Sequence, residues 1–401
     1  MKILLITQYY NPVKGAAAKR TGKMAQFLNT AGHDVTVLTG FPSYPTGILA
    51  KKYQSKLWFH EVINEIKITR VWELPVSTSD STIKRLLNLV SFAKTSAWYG
   101  LFHHKFDMVI VSSPNFLSGY AGLYSAGKNA KFYFDIRDLW PDSAVQLGVL
   151  PEEGFLTNWL KKLEKKYYDR ATKIFTATPG IKDHLLTEEI PADKIEVLLN
   201  SVDTNLFSPK KVNKTKFELD ETDFVCGYIG NMSRVYDLET VIKTAQKLKD
   251  YPEIKFVLVG EGESKSKVQV MAKNMGLNNV IFIPETPLQE LPEIINSFDL
   301  GLAPIAKIGV SQESFPSKVS EYLACSVPVL ASLAGDMAKT IKEHEVGLIY
   351  EPGDAEALAN YILKLSRDNL SMQIMSLNAR QLALKMFSDE IFSEKLISAL
   401  G

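Results

Sequence analysis

The chain contains few cysteine and histidine residues, and their positions exclude several kinds of site. Its 401 residues include two cysteines, Cys226 and Cys325, in apolar stretches without CxxC spacing. We interpret both as reduced core residues. The six histidines show no HxxxH or HExxH spacing, which argues against a histidine-built metal site. No metal is therefore expected.

Long apolar runs and a dinucleotide fingerprint are also absent. No run approaches the roughly 18 to 20 apolar residues that span a bilayer, and Met1 and Lys2 lead directly into a strand-like segment rather than a signal peptide. We therefore expect a cytoplasmic protein. No GxGxxG follows the first strand, which disfavours a dinucleotide-dependent dehydrogenase.

The charge is balanced overall but unevenly distributed. Hydrophobic residues make up 46% and charged residues 23% of the chain, as in an ordinary soluble protein, and the net charge is +1. Residues 1–200 carry 25 lysines and arginines against 18 acidic residues, whereas the remainder carries 21 against 27. A basic first half suits an anionic surface such as a membrane leaflet or a lipid-linked pyrophosphate. Scattered surface lysines without a common partner explain it equally well, and no nucleic-acid partner is expected.

Short apolar runs alternate with helical patterns along the whole chain. Residues 2–7 read as a buried parallel strand, a helix follows from about Ala18 to Ala31, and a second strand completes a strand-helix-strand unit. About six such units occur in each half. The pattern predicts an α/β protein with two doubly wound domains, residues 1–200 and 201–378, and C-terminal helices over 379–401.

Residues 311–332 contain a candidate anion site at the start of a helix. Pro316 suits the first helical position, so the N–H groups of Ser317, Lys318 and Val319 are expected to be free. Together with the Lys318 ammonium group, such N–H groups favour a phosphate or diphosphate.

Two glutamates flank that helix start. Glu313 precedes it, and Glu321 is expected on a different face from the apolar Val319, Tyr322 and Leu323, where it can accept hydrogen bonds from sugar hydroxyls. The alternative is an ordinary loop-to-helix junction with solvated carboxylates.

Two further groups of candidates lie in the first half. Gly15, before the first helix, lets a ligand approach the backbone, and Lys19 and Arg20 are candidates for contacting a phosphate or, alternatively, the polar face of the helix. Arg137 and Asp138 follow a predicted strand, where a cleft is expected to open. Their alternative role is an internal salt bridge that shapes the loop.

These motifs resemble those of the retaining GT-B glycosyltransferases, especially glycosyltransferase family 4. The pair Glu313 and Glu321 with seven residues between them, followed by Pro328 and an apolar run, is similar to the donor-site motif of that family. The sequence DLWPDS at residues 138–143 resembles the branch that transfers N-acetyl-L-fucosamine. The resemblance implies two facing Rossmann-like domains with a cleft between them, the first binding the acceptor and the second the nucleotide sugar. It also implies that the C-terminal helices over 379–401 cross back to the first domain.

The resemblance also assigns residues. The first glutamate touches the donor sugar, the second holds the ribose, and the backbone between them meets the diphosphate. We expect Glu313, Asp138, Arg137 and Lys318 to act in catalysis. Nucleotide-sugar contacts are expected from Gly15, Arg234, Gly260, Glu261, Ile283, Pro284, Ser314, Phe315, Pro316, Ser317, Lys318 and Glu321. The sequence departs from the family at Asn231, where an arginine is usual, so Arg234 is expected to take over that charge.

The implied function is retaining transfer of a sugar, N-acetyl-L-fucosamine by resemblance, from a UDP-sugar to an undecaprenyl-diphosphate-linked saccharide in capsule or O-antigen assembly. No DxD triplet is present, so a metal-independent reaction without a cofactor is expected. Residues 82–105, basic at the start and aromatic at the end, are compatible with a helix at the inner face of the cytoplasmic membrane or with a core-facing helix. An epimerase acting on UDP-N-acetylglucosamine and a non-catalytic nucleotide-sugar-binding protein remain alternatives.

Overall fold

Fourteen short strands and fourteen helices were found in the residues described by the computed structural model, which are 1–13, 15–103, 105–146, 148–307 and 315–401. They divide into two units, Met1–Leu199 with Phe392–Gly401, and Asn200–Ile391. The first unit thus ends one residue before the predicted domain end. Among the described residues, no helix combines the length and apolar content needed to cross a membrane.

The first unit is built on an eight-stranded sheet of order β3-β4-β2-β1-β5-β6-β7-β8. All neighbouring strands are parallel except β3, which runs antiparallel to β4 at the edge. The strands are β1 (Lys2–Ile6), β2 (Asp34–Gly40), β3 (Trp58–Ile63), β4 (Ile66–Val71), β5 (Met108–Ser112), β6 (Lys131–Ile136), β7 (Lys173–Thr176) and β8 (Ile195–Val197). The helices are α1 (Ala16–Thr30), α2 (Thr82–Phe102), α3 (Gly119–Ala126), α4 (Asp142–Gln146), α5 (Phe155–Arg170) and α6 (Pro179–Thr187).

Alternating side chains of β1 fill two hydrophobic layers. Leu4 and Ile6 pack with residues of α2, α3 and α5, whereas Ile3 and Leu5 pack with α1 and the C-terminal helix α14 (Asp389–Ser398). This is the two-residue period of a strand buried on both faces. The C-terminus is fixed at Leu400, whose carbonyl accepts hydrogen bonds from Tyr133 Oη (3.3 Å) and Lys131 Nζ (3.2 Å).

The second unit contains a six-stranded parallel sheet of order β11-β10-β9-β12-β13-β14. Its strands are β9 (Phe224–Ile229), β10 (Ile254–Val259), β11 (Val280–Ile283), β12 (Leu300–Ala303), β13 (Val329–Ala331) and β14 (Gly347–Ile349). Its helices are α7 (Leu238–Lys247), α8 (Lys265–Asn274), α9 (Leu291–Ile295), α10 (Ser317–Ala324), α11 (Gly335–Glu343), α12 (Ala355–Leu365) and α13 (Asn369–Leu382). The order reverses between β9 and β12, and ligands of such sheets bind beyond the carboxyl ends of the strands at that point.

The predicted C-terminal segment 379–401 is divided between the units. Only Phe392–Gly401 belongs to the first unit, because Phe392 and Leu396 pack against the first sheet. Residues 379–391 stay with the second unit, where the Arg380 guanidinium group donates to the carbonyls of Ala324 (2.6 Å) and Phe207 (3.0 Å). The prediction that the whole segment returns to the first domain is therefore wrong for its first half.

Candidate active site

Helix α10 is held against the second sheet by Tyr322. The Tyr322 ring packs directly on Gly301 of β12, where a Cβ atom would lie 2.4 Å from the ring. The Tyr322 hydroxyl accepts a hydrogen bond of 2.9 Å from the Ile229 N–H at the end of β9. These contacts fix the start of α10 beside the strand ends where the sheet order reverses.

The N-terminal end of α10 has no side-chain cap and no acidic residue in its first turn. Pro316 is the residue before the helix rather than its first residue, with φ −68° and ψ 127°. The Val319 N–H donates to the Pro316 carbonyl at 3.1 Å, so the prediction that this group is free is wrong. The N–H groups of Ser317 and Lys318 make no hydrogen bond within the described part of the chain, and they remain available to an anion.

Lys318 is buried at this helix end without a hydrogen-bond partner. Its side chain is 5% exposed, and among the described residues nothing accepts a hydrogen bond from Nζ. The ammonium nitrogen lies 3.8 Å from the ring centroid of Tyr228 and 3.6 Å from that of Tyr236. Burial lowers the pKa of Lys318 well below its ordinary value, and Glu321 opposes this shift. A bound anion would supply the missing charge and hydrogen-bond acceptors.

Two glycine-bearing turns adjoin the Lys318 head. A Cβ atom on Gly230, directly after β9, would lie 3.5 Å from Lys318 Nζ. Gly260, directly after β10, has a φ of +138°, and its Cβ atom would lie 2.0 Å from the Gly230 carbonyl oxygen. Only glycine fits there. The two turns therefore pack together beside the Lys318 ammonium group.

The turn at Gly260, directly after β10, is hydrogen-bonded to the neighbouring strand and turn. The Gly260 N–H donates to the Ile283 carbonyl at 3.0 Å, and the Glu261 carbonyl accepts from the Met232 N–H at 2.8 Å. The Glu261 carboxylate forms an ion pair with Lys265 at 2.5 Å. Pro284, after β11, is exposed. These contacts place Gly260, Glu261 and Ile283 at one group of strand ends.

Glu321 is buried, contrary to the expectation of a separate polar face. It is 8% exposed, and every residue from Lys318 to Ala324 is buried, because α10 packs on the sheet and against the Arg380 region. A buried carboxylate one turn from Lys318 has few hydrating waters, so it gains more from a ligand hydroxyl than an exposed carboxylate does.

Two other predicted donor-site residues, Arg234 and Phe315, make contacts of a different kind. Arg234 is mostly exposed (83% of its side chain), pairs with Glu263 at 3.4 Å, and lines a separate depression of about 450 Å³. The prediction that Arg234 lies beside Lys318 is therefore not met. Tyr236 lines this depression and also contacts the Lys318 ammonium group. Phe315 packs on Phe387 with ring centroids 5.7 Å apart. Glu313 and Ser314 lie outside the described residues.

The first unit contains a cavity of about 510 Å³ that brings together three predicted residues. Gly15 before α1 and the adjoining Arg137 and Asp138 after β6 line it, together with Tyr9 and Tyr44. The strand ends and the start of α1 meet here because β1 and β6 are parallel strands of one sheet. The structure thus places the Gly15 loop and the Arg137–Asp138 loop at one site.

Arg137 and Asp138 do not form the internal salt bridge that was the alternative. No ion pair joins them in the described residues, and Arg137 Nε is fully buried with no hydrogen-bond partner there. Burial lowers the pKa of Arg137. Asp138 is exposed at the cavity, yet the surrounding protein atoms reduce its hydration and raise the pKa of its carboxyl group, an effect that Arg137 opposes.

Arg20 is a buried structural residue, which fits neither of its two candidate roles, a phosphate contact or the polar face of α1. Its guanidinium group forms a buried ion pair with Asp135 of β6, with a shortest distance of 2.6 Å, and also donates to the Leu198 carbonyl at 2.8 Å. Ser112 Oγ donates to the same Asp135 carboxylate at 2.6 Å. Lys19, its neighbour on α1, is exposed.

The polar network behind the cavity was not predicted from the sequence. Gln8 Nε2 donates to Glu73 and Asn88, each at 2.8 Å, and Asn115 Nδ2 donates to Gln8 Oε1 at 3.0 Å. Glu73 is 3% exposed, and burial raises its pKa to about 8, so this carboxyl group is protonated at neutral pH. Gln8 is 65 positions from Glu73 and 80 positions from Asn88 in the sequence, which is why no local pattern reveals the network.

Two family models match consecutive parts of the chain. The model described as Glycosyltransferase Family 4 matches residues 17–206, and the model described as Glycosyl transferases group 1 matches residues 209–382. Between them they account for nearly the whole chain.

Curated relatives agree with these matches. A putative colanic acid biosynthesis glycosyl transferase of Escherichia coli is 28% identical over 336 residues, or 81% of each chain. The N-acetyl-alpha-D-glucosaminyl L-malate synthase of Bacillus anthracis is 21% identical over 99% of this chain and 95% of its own. A capsular polysaccharide biosynthesis glycosyltransferase of Staphylococcus aureus is 24% identical over 79% of this chain and 82% of its own.

Solved structures show the same fold. Sucrose-phosphate synthase from Thermosynechococcus elongatus superposes with a TM-score of 0.77 at 18% identity, covering 100% of this chain and 98% of that one. Anabaena HepE in complex with UDP gives 0.73 at 16% identity, covering 100% and 99%. From its two parallel-sheet units and the two family matches, the chain is a GT-B glycosyltransferase of the group 1 and family 4 type.

Proposed function

We propose that the second unit binds the diphosphate of a UDP-sugar at the N-terminal end of α10 and that the enzyme transfers the sugar with retention of configuration. The Lys318 ammonium group, which is buried and has no hydrogen-bond acceptor among the described residues, carries this proposal. A buried lysine without an acceptor destabilises the free protein, and a phosphate oxygen at Nζ removes that penalty. The UDP complex of the structurally similar HepE supports the choice of nucleotide.

In the proposed reaction the bond between the sugar C1 and the β-phosphate oxygen breaks. The acceptor hydroxyl oxygen bonds to C1 on the same face, and its proton passes to the departing phosphate. Negative charge then develops on that phosphate, where Lys318 and the N–H groups of Ser317 and Lys318 stabilise it. Glu321 holds the ribose, Glu313 contacts the donor sugar, and Asp138 orients substrate hydroxyls.

The proposed reaction needs no metal ion, because the sequence has no DxD triplet to bridge the diphosphate and a cation. Turnover is expected to be unchanged by EDTA. Loss of turnover in EDTA, with recovery on addition of Mg²⁺ or Mn²⁺, would contradict this part of the proposal.

The proposed substrates are a UDP-linked N-acetyl-L-fucosamine and an undecaprenyl-diphosphate-linked saccharide in capsule or O-antigen assembly. The DLWPDS motif supports the sugar, and the colanic acid and capsular relatives support the role in polysaccharide synthesis. The test is to incubate the protein with a panel of UDP-sugars and short polyprenyl-diphosphate saccharides and to analyse the products by mass spectrometry. A product one N-acetylfucosamine heavier is expected. Transfer of another sugar would correct the donor, and cleavage of every donor without transfer would contradict the proposal.

We also propose that α2 touches the inner face of the cytoplasmic membrane. It has no acidic residue, and it exposes Ile83 (73%), Leu86 (51%) and Leu87 (52%) at its start and Phe102 (70%) at its end. On the same face of the sheet, α5 exposes Phe155 (90%). Apolar side chains between cations are typical of a surface that binds anionic lipid.

Vesicle flotation tests this surface. The double variant Leu86→Ser/Leu87→Ser is expected to bind vesicles of phosphatidylglycerol several-fold less than wild type. Leu370→Ser, at an exposed apolar position of the second unit, is the matched control and is expected to have no effect. Equal binding of all three proteins would contradict the assignment.

A further inference from the structure

The cavity of the first unit has an excess of positive charge. Among the described residues, its charged lining consists of Arg85, Arg137 and Asp138. Glu73, behind it, adds no negative charge at neutral pH because burial raises its pKa to about 8. The nearby Arg20 and Asp135 neutralise each other in their buried ion pair. The described part of the cavity wall therefore carries one more positive than negative charge.

Arg137 has hydrogen-bonding capacity that the protein does not use. Its backbone N–H donates to Ser113 Oγ at 2.9 Å, which fixes the residue at the end of β6. Its Nε atom is buried and has no acceptor among the described residues. A buried guanidinium donor without an acceptor is costly, and a planar carboxylate or a phosphate is the group that fits its geometry.

The start of α1 faces the same cavity. Ala16, Ala17 and Ala18 line it, and their small side chains leave the helix end accessible. The preceding Gly15 provides no side-chain cap, and the first turn contains no acidic residue. The partial positive charge at this helix end adds to that of Arg137.

The remaining lining suits a sugar ring. Tyr9 and Tyr44 border the cavity with ring centroids 6.1 Å apart, and Ser77 adds a hydroxyl group. A volume of about 510 Å³ lies within the range of small-molecule sites.

We propose that this cavity is the acceptor subsite and that the acceptor group it receives is anionic, a carboxylate or a phosphate on a sugar ring. The proposal rests on the glycosyltransferase function proposed above and specifies the chemical class of its acceptor. Arg137 pairs with the anion, the start of α1 lies beside it, and the tyrosines contact the ring.

The test measures binding of matched methyl glycosides to the whole protein by NMR titration in saturating UDP, so that the nucleotide site is occupied. The gluco, galacto and manno series are each represented by three glycosides of the same ring stereochemistry: a neutral hexoside, its uronide and its 6-phosphate. Comparison of the uronide with the 6-phosphate separates carboxylate from phosphate recognition. In at least one series an anionic member is expected to bind about tenfold more tightly than the neutral one, the size of one charge-assisted hydrogen-bonded pair.

Arg137→Gln is expected to abolish that preference. Lys128→Gln, which removes an exposed cation of the same unit outside the cavity, is expected to retain it. Should Arg137→Gln fail to fold, as judged by loss of its cooperative thermal transition in circular dichroism, Arg85→Gln provides the second test and is expected to reduce the preference. The proposal is overturned if wild type shows no preference in any series, or if the preference survives both arginine variants. Normal UDP binding in those cases leaves the donor-site proposal intact, whereas absence of UDP binding by wild type contradicts the donor-site proposal itself.

Discussion

The Lys318 ammonium nitrogen lies 3.6 Å from the centroid of the Tyr236 ring. The aromatic face attracts the cation, but it does not replace the hydrogen-bond acceptors that water would supply. Burial therefore still lowers the pKa of Lys318 well below its ordinary value. Because Lys318 is buried without an acceptor among the described residues, we expect it to bind an anion. The first two predictions concern this residue.

Lys318→Met is expected to weaken UDP binding about tenfold or more while leaving the fold intact, because it removes a buried cation and keeps the side-chain volume. Isothermal titration calorimetry measures the change. Lys339→Met is the control, since Lys339 lies on the surface of the same unit with 72% of its side chain exposed. Equal weakening by both variants would indicate a general charge effect and contradict the specific role of Lys318.

UDP affinity is expected to fall as the pH rises through the lowered pKa of Lys318. The lysine must be protonated to pair with the diphosphate, so UDP binding takes up a proton wherever the free protein has lost it. Titrations between about pH 7 and pH 9 avoid the second ionisation of the phosphate near pH 6. The dependence of UDP affinity on pH should disappear in Lys318→Met. An affinity independent of pH in wild type would show that Lys318 stays charged or does not meet the ligand.

Glu321→Gln is expected to reduce discrimination between UDP and 2′,3′-dideoxy-UDP. In wild type the buried carboxylate accepts hydrogen bonds from the ribose hydroxyls, so loss of those hydroxyls should cost about tenfold in affinity. In the variant both nucleotides should bind with similar affinity. Competition for a fluorescent UDP analogue measures this, and unchanged discrimination would remove Glu321 from the ribose site.

Glu73→Gln is expected to stabilise the protein at mildly alkaline pH. The folded state keeps Glu73 protonated up to about pH 8, whereas the unfolded chain loses that proton near 4.5. The contribution of the neutral Glu73 carboxyl group to the free energy of unfolding is thus present in full below the ordinary carboxyl pKa. It is lost as the pH rises to about 8. At that pH the free energy of unfolding should increase by up to about 4 kcal/mol in the variant.

Urea denaturation at several pH values checks this prediction. Glu152→Gln, at an exposed position of the same unit, should leave the pH dependence as it is in wild type. If Glu73→Gln shows the same pH dependence as wild type, the carboxyl group is not held neutral by burial.

The two sheets could be predicted because the patterns that mark buried parallel strands and helix starts are local in the sequence. Parallel strands are continuous apolar runs, as in residues 2–7, and Pro316 marks the start of α10 to within one residue. Gly15 and Arg137–Asp138 follow two strands, and parallel strands bring their carboxyl ends to the same edge.

The partners of charged residues could not be predicted in the same way. Arg20 looks like a surface residue near a helix start, yet Asp135, 115 positions away, neutralises it in the core. Arg234 follows a glycine turn as expected, but its side chain is mostly exposed and pairs with Glu263. Which partner an arginine pairs with depends on side chains distant in the sequence, and a single sequence does not show which of them lie close in space.

A crystal structure of the protein with bound UDP would show directly whether the diphosphate lies at the start of α10. We expect a β-phosphate oxygen within hydrogen-bond distance of Lys318 Nζ, beside the N–H groups of Ser317 and Lys318, with the ribose at Glu321. A diphosphate bound elsewhere, with Lys318 still buried and without an acceptor, would contradict it.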